Sequence, residues 1–473
     1  MLNRTILKAM GIFGGTQVLV ILLGIVRNKF LAMWLGPAGV GLNAIFISTQ
    51  ELIVSAAGLS LRTGGVRELS AAPPDRSARV AGVLLRMAAA LAVAGGAATI
   101  ALSPLLSLWT MGSAHQWWCF ALLAFGVAAT IRLDADIAAL QAAGRLKALA
   151  HVTVVSAAAS TLVAIPLYYL LGLQAVLPVY LTMSATYAAW AWRERRRCCP
   201  RPSAVPLREA VREARPMLRL GMYLTLAAVL ERLAGYLFVV YMSNDASAAD
   251  LGIYQSGYTL VNTYVMVIFT AISTEYYPRL ASVAGSRLRT QTFAGAEFKV
   301  AAWVMMPVVA AFVALSQVAV RLLYSGRFDA VVPYVDFGVC GVILRAFSYC
   351  MAFVILARGD GRMFVLTEAT GAVLGLVLRI AGYRLWGFAG MGIAYIVEYA
   401  LYSAVVVAAY RHYGLRLSRG IGALAAASTG FALLCVCAKL WLAWWTPLLA
   451  LPVLLPLAMR HLNIKLPVIV RNR

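Results

Sequence analysis

Charged residues are scarce in this sequence, at 12% of the chain, and only 18 are acidic against 41 Lys and Arg. Soluble domains carry about 25% charged residues, so this composition excludes most of them. Hydrophobic residues fill 62% of the 473 positions, and the mean hydropathy is +0.82. A chain of this kind is mostly dissolved in lipid, and we therefore predict an all-α polytopic membrane protein.

The sequence also lacks metal-binding and disulfide patterns. It has seven cysteines and four histidines, with no CxxC pair and no HExxH sequence. Five of the cysteines lie inside apolar runs, where a thiol packs as a small hydrophobic group. We therefore predict no metal site, no cofactor and no disulfide.

Apolar runs long enough to cross a bilayer recur along the whole chain. A crossing helix needs about 20 apolar residues, and Gly, Pro and charged residues mark its ends. The runs predict fourteen spans, of which the last is short: 11–34, 41–61, 87–109, 117–137, 149–171, 176–192, 220–242, 252–277, 300–320, 335–356, 364–385, 390–410, 421–443 and 447–460.

Positive charge is distributed unevenly around these spans. With the N-terminus inside, the inner segments hold 31 of the 41 Lys and Arg residues, whereas the outer loops hold only Arg321 and Arg327. This asymmetry satisfies the positive-inside rule and predicts that both termini are cytoplasmic.

The arginines form no basic domain, which excludes a nucleic-acid-binding protein. The outer loops are no longer than about a dozen residues, which argues against an external catalytic domain.

A basic segment at 193–219 divides the first six spans from the next six. Self-comparison aligns LGPAGVGLNAIFISTQ (35–50) with ASAADLGIYQSGYTLV (246–261), which places Gly41 over Gly252 at an offset of 211. LQAAGRLKAL (140–149) aligns with ARGDGRMFVL (357–366) at an offset of 217. We therefore predict two six-helix bundles related by an internal repeat around a central cavity. The predicted domains are an N-terminal six-helix bundle (1–192), a basic cytoplasmic linker (193–219), a C-terminal six-helix bundle (220–410) and an extra helix pair with a basic tail (411–473).

Basic residues inside the spans are the first candidate functional residues, because each costs at least ~2.5–3.5 kcal/mol at a helix centre unless it meets water, a partner or a ligand. Arg27, Arg345 and Arg379 lie deep in their spans, and Arg232 lies in the middle of its own. We predict that they line a hydrated cavity. Since a guanidinium holds two phosphate oxygens at once, these four residues predict binding of a substrate diphosphate.

Acidic residues near span centres form a second group, comprising Glu231, Glu398 and Glu51. Such an acid can be protonated when desolvated and charged when hydrated, as ion coupling requires. A fixed ion pair with an intramembrane Arg explains it equally well, and the sequence leaves both interpretations open. Charges near span ends are expected to be structural, with long side chains reaching the interface, and we expect Gln to be tolerated at two of them. The residues expected to be structural are Arg132, Asp134, Asp136, Arg384 and Lys439, the last two being those expected to tolerate Gln.

Three segments, taken in order, resemble one superfamily. They are LGIVRNKFLAMWLGPAGVGLNAIF (23–46), the GIYQSGYTLVNTYVMVI and EYYPRL segments (252–280), and the LQAAGRLKAL turn. They resemble the multidrug/oligosaccharidyl-lipid/polysaccharide (MOP) exporter superfamily and, within its polysaccharide transporter branch, O-antigen translocases of the Wzx type. The resemblance implies two bundles that alternate access to a central cavity, with Arg27 inside it. Asn28 stands where lipid II flippases often have an acid, which argues against that branch.

The resemblance and the cavity arginines together predict a flippase of the bacterial inner membrane. Its cargo would be an undecaprenyl-diphosphate-linked oligosaccharide, an O-antigen or related polysaccharide repeat unit, turned from the cytoplasmic to the periplasmic face. The expected partners are this polyprenyl-diphosphate-linked oligosaccharide, the lipid bilayer and other polysaccharide-assembly proteins. Two alternatives stay open. An ion-coupled multidrug exporter of the same superfamily requires a cavity dominated by acids and aromatics, and an integral membrane enzyme of polysaccharide assembly requires larger outer loops.

Overall fold

The computed structural model describes residues 2–265, 269, 276–277 and 279–461, and its regular structure in this part of the chain is entirely helical. The all-α prediction is therefore confirmed. Fourteen α-helices are described: α1 Leu2–Gly58, α2 Leu61–Ala71, α3 Pro74–Met111, α4 Trp117–Ala142, α5 Leu146–Leu171, α6 Val176–Cys198, α7 Leu207–Glu213, α8 Arg215–Tyr241, α9 Ala248–Tyr258, α10 Arg287–Leu323, α11 Val332–Ala357, α12 Gly361–His412, α13 Arg419–Trp441 and α14 Leu451–His461.

Two of these helices are kinked where the sequence predicts a boundary between spans. In α1, Gly36 has a φ of 65° and is followed by Pro37, which cannot donate a helical hydrogen bond. In α12, Gly387 has a φ of 58°, in the left-handed region that glycine tolerates. Each long helix therefore consists of two halves, and each half corresponds to one predicted span.

Nine helical stretches among the described residues are long and apolar enough to cross a membrane. They overlap twelve of the predicted spans, because Gly15–Gly58, Leu146–Cys198 and Gly361–His412 each overlap two. The predicted span 252–277 lies partly outside the described residues. The short predicted span 447–460 coincides with the apolar helical stretch Thr446–His461. The polytopic architecture is thus confirmed.

The chain divides into two compact units. The first comprises Met1–Gln255 with Leu323–Arg327, and the second comprises Ser256–Leu322 with Phe328–Arg473. The domain bounds predicted from the sequence, with a linker over 193–219, stay a prediction.

Each unit has its own apolar core. In the first, side chains of α2, α3 and α4 pack with α7 and the start of α8, and include Leu84 and Ala210. In the second, α10, α11, α12 and α13 share a core that includes Phe298, Phe347 and Ile421. The first helix of the predicted extra pair is therefore built into the core of the second unit.

Gly41 and Gly252, which the internal repeat aligns, lie against each other in the first unit. A Cβ on Gly41 would overlap the carbonyl oxygen of Ala248, and a Cβ on Gly252 would overlap that of Pro37. Ala248 and Pro37 are themselves separated by the repeat offset of 211. The contact is therefore reciprocal, as a two-fold relation between repeated segments requires.

We expect Gly41→Ala to destabilise the folded protein by about 1–3 kcal/mol, because the two backbones must separate to admit the methyl group. Gly24→Ala is the matched control on the same helix, since a Cβ there meets nothing within 4 Å. An alanine in that helix interior should stabilise by about 0.5–1 kcal/mol. Thermal unfolding of both purified variants measures the difference, and equal melting temperatures would contradict the close contact.

Candidate substrate and coupling sites

Arg27 lies in the first half of α1 and is partly buried. Its guanidinium donates to the thioether sulfur of Met183 on α6. Its charge also acts on three phenols, those of Tyr168 on α5 and of Tyr180 and Tyr187 on α6. Among the described residues, no carboxylate lies within ion-pair distance of it. Arg27 is thus an uncompensated cation surrounded by neutral groups, which suits an anionic ligand.

Arg232 and Glu51, predicted for different roles, form an ion pair in the first unit. Arg232 Nη1 on α8 lies 2.6 Å from Glu51 Oε2 on the second half of α1, and both side chains are nearly half exposed. Glu231 is exposed, and its negative charge acts on Glu51. The charge of Arg232 is therefore matched within the protein, unlike that of Arg27.

A cavity of about 300 Å³ opens beside this pair, between α1, α2, α4 and α8. A second ion pair faces it, with Arg62 Nη1 3.6 Å from Asp134 Oδ1. Ser60, in the cavity wall, has a φ of 48°, and its neighbour Leu59 has a φ of 47°. Non-glycine residues in this left-handed region store strain, which proteins tend to keep at functional sites. The cavity is lined by Glu51, Val54, Ser55, Gly58, Ser60, Leu61, Arg62, Ile131, Asp134, Ala228 and Arg232.

Arg345, on α11 in the second unit, is held by neutral groups. Its Nη1 donates to Asn262 Oδ1 at 2.7 Å and to Tyr395 Oη at 3.1 Å. The guanidinium carbon lies 5.5 Å from the ring centroid of Phe269 and 5.7 Å from that of Tyr399, within cation–π distance. Asn262 Nδ2 is buried without a hydrogen-bond partner in the described part of the chain. The cluster therefore has an unused donor as well as an unmatched positive charge.

Arg379 and Glu398 face each other from the two halves of α12. Arg379 Nε lies 3.6 Å from Glu398 Oε2, and the side chains are only 15% and 12% exposed. Gly375 makes room for the pair, since a Cβ there would lie 2.7 Å from Arg379 Nη2. The charge of Arg345 also acts on Glu398. These three predicted residues therefore form one buried cluster in which two guanidinium groups oppose one carboxylate.

Sequence reasoning missed the groups that surround these charges. Tyr395 and Tyr399 are one helical turn apart, and this spacing could have indicated an aromatic face toward an intramembrane arginine. No sequence signal connects Arg62 with Asp134. Arg62 lies just outside a predicted span and Asp134 is expected to be structural, yet both line the cavity of the first unit.

The expectation that the Lys439 side chain reaches the membrane interface is wrong, and its contacts lead us to expect that Gln is not tolerated. Lys439 Nζ on α13 lies 2.7 Å from Asp336 Oδ2 on α11 and 2.7 Å from Ser316 Oγ on α10. The Lys439 and Asp336 side chains are only 10% and 4% exposed. The charged lysine side chain stays buried instead of reaching the interface, because a carboxylate from another helix compensates its charge.

Asp136 fits its expected structural role. It is fully buried on α4, where it accepts a hydrogen bond from Arg195 of α6 and lies 3.3 Å from Arg132. Two cations hold this carboxylate inside the first unit, so it is satisfied without a ligand.

The comparisons with known proteins agree with this fold. The family model described as polysaccharide biosynthesis protein matches residues 30–333. No curated protein sequence matches the chain.

Solved transporter structures share its architecture at low sequence identity. The inward-facing conformation of a multidrug resistance MATE family transporter of the MOP superfamily is 15% identical, with a TM-score of 0.69, and the match covers 86% of this chain and 95% of that one. An outward-facing conformation has 15% identity, a TM-score of 0.63 and coverages of 88% and 94%. The lipid II flippase MurJ in an inward closed conformation has 10% identity, a TM-score of 0.70 and coverages of 96% and 98%. The chain belongs to the polysaccharide biosynthesis protein family and has the fold of the MOP superfamily.

Proposed function

We propose that this protein is a flippase that moves an undecaprenyl-diphosphate-linked oligosaccharide, such as an O-antigen repeat unit, across the bacterial inner membrane by alternating access. The observation that carries the proposal is the pair of intramembrane arginines, Arg27 and Arg345, whose hydrogen-bond partners are neutral and which form no ion pair with a carboxylate of the described residues. A diphosphate that leaves water must replace its hydration with charge and donors, and both arginines offer these. The family match supports a role in polysaccharide assembly.

Three of the intramembrane acids are paired with cations of the protein, which favours an anionic over a cationic cargo. Glu51 pairs with Arg232, Glu398 with Arg379, and Asp336 with Lys439. A cation-drug exporter requires negative charge or aromatic faces available to its substrate. These three carboxylates are already paired, whereas neither Arg27 nor Arg345 forms an ion pair with any residue that the structure describes.

The function can be tested with the purified protein in sealed vesicles. The probe is a fluorescent polyprenyl diphosphate that carries one N-acetylhexosamine, and dithionite added outside measures how much of it changes leaflet. We expect protein-dependent movement that is slowed in Arg345→Ala. A cationic rhodamine dye is the parallel probe, and transport of the dye without movement of the lipid would overturn the proposal in favour of a drug exporter.

If Glu398 couples transport to an ion gradient, the rate of gradient-driven transport should depend on its carboxylate. We expect Glu398→Gln to reduce transport driven by an imposed pH gradient by about tenfold, equivalent to ~1.4 kcal/mol. Glu51→Gln and the exposed Glu231→Gln are the comparisons for the other two candidates. The amount of protein in the membrane is measured in parallel, because each change of a paired acid leaves an arginine uncompensated. An unchanged response to the gradient in any of the three variants would remove that acid from the coupling role.

A further inference from the structure

Helix α7, within the basic segment 193–219, is fixed to the first unit along one side. Ala210 is buried in the core that contains Leu84. Arg79, on α3, contacts two acids of α7, with Nη2 2.8 Å from Glu209 Oε2 and 2.6 Å from Glu213 Oε1. This guanidinium lowers the pKa of the Glu213 carboxyl, so the clamp is ionised at neutral pH. The orientation of α7 is therefore determined by the fold.

The other side of α7 is exposed and amphipathic. Leu207 and Val211 are 43% and 48% exposed, although both are apolar. Arg208, Arg212 and Arg215 are also exposed, and none of them has a carboxylate within ion-pair distance among the described residues. The segment therefore presents apolar and cationic groups that the described part of the protein leaves unpaired.

These groups follow a regular order around the helix. Successive residues are rotated by about 100°. Proceeding around the axis from the buried alanines, one meets Leu207 and Val211, then the arginines, and then the two acids that Arg79 holds. An apolar strip beside an arginine-rich strip is the arrangement of a helix that lies in a membrane interface.

We propose that the exposed side of α7 binds anionic phospholipid headgroups of the cytoplasmic leaflet, with Arg208 and Arg212 at the phosphates and Leu207 and Val211 among the upper acyl chains. The positive charge of 193–219 complements an anionic surface. A protein partner is disfavoured, because two half-exposed apolar residues provide far less than the roughly 800 Å² per partner of a stable interface. This inference does not depend on the identity of the transported cargo.

The test uses the full-length protein in nanodiscs of phosphatidylcholine alone or with phosphatidylglycerol, and hydrogen exchange of residues 207–215 reports the contact. We expect protection that appears with phosphatidylglycerol and falls at high salt.

Titration of the detergent-solubilised protein with short-chain phosphatidylglycerol measures affinity. Arg208→Gln with Arg212→Gln should weaken it about 30-fold, since each arginine contributes about 1 kcal/mol and 1.4 kcal/mol is tenfold.

The matched control is Arg416→Gln with Arg419→Gln, two exposed arginines of another predicted cytoplasmic segment. An equal loss of affinity in this control would overturn a specific surface on α7. Equal protection in phosphatidylcholine alone would overturn the requirement for anionic lipid, and full protection by glycerol 3-phosphate would show a free-phosphate site instead. Leu207→Ser with Val211→Ser should reduce protection in anionic nanodiscs, and unchanged protection would overturn the insertion of these side chains.

Discussion

Lys439→Gln is expected to destabilise the protein by about 3–5 kcal/mol, which is enough to lower sharply the amount of folded protein in the membrane. The substitution removes the cation next to Asp336, whose side chain is only 4% exposed. Ser316 then remains as the partner of a buried carboxylate, and one hydroxyl does not replace a full charge. The measurements are membrane protein level and the thermal unfolding midpoint in detergent.

A double variant separates the effect of charge from that of shape. Lys439→Gln combined with Asp336→Asn removes both charges and keeps groups that can hydrogen-bond, so it should recover most of the lost stability. Lys147→Gln is the surface control, and its effect should stay within about 0.5 kcal/mol. Wild-type stability of the single variant, or a double variant as unstable as the single one, would contradict this account of the ion pair.

Lys439 also shows where sequence reasoning fails. Depth along a span suggested that its side chain reaches the interface, but depth says nothing about which way a residue faces. Its partner lies 103 positions earlier in the chain, on a helix that only tertiary packing brings close. The kinks of α1 and α12 were predictable because Gly and Pro act locally on the backbone. Long-range charge pairing depends on packing that no local pattern encodes.

The candidate sites were likewise predictable only in part. Because a charge is costly in lipid, the sequence predicted functional roles for Arg27, Arg345 and Arg379. In the structure, each of them lies among polar or aromatic groups of its own unit. The same reasoning could not distinguish the compensated Arg232 from the uncompensated Arg27. Both are single arginines in apolar helices, and among the described residues only Arg232 of the two has a carboxylate facing it from another helix.

Whether a charge is paired within the protein also determines how its removal affects folding, and Arg27 is the contrasting case to Lys439. Arg27 donates to a thioether and forms no ion pair with a carboxylate among the described residues, so Arg27→Ala leaves no such carboxylate without a partner. We therefore expect normal folding and membrane level, in contrast to Lys439→Gln. Transport should nevertheless fall by about 30-fold or more, because losing one partner of a desolvated charge pair costs about 2–5 kcal/mol.

Arg27→Lys distinguishes the geometry of the guanidinium from its charge. An ammonium keeps the positive charge but cannot hold two phosphate oxygens through a planar fork, so we expect only partial recovery of transport. The measurements are surface-polysaccharide display in a strain that lacks its own flippase and movement of the fluorescent diphosphate lipid in vesicles. Arg416→Gln, an exposed arginine outside the spans, should retain full activity. Wild-type display by Arg27→Ala at normal protein level would exclude a phosphate-binding role for Arg27, and equal activity of Arg27→Lys and the wild type would leave charge alone as its contribution.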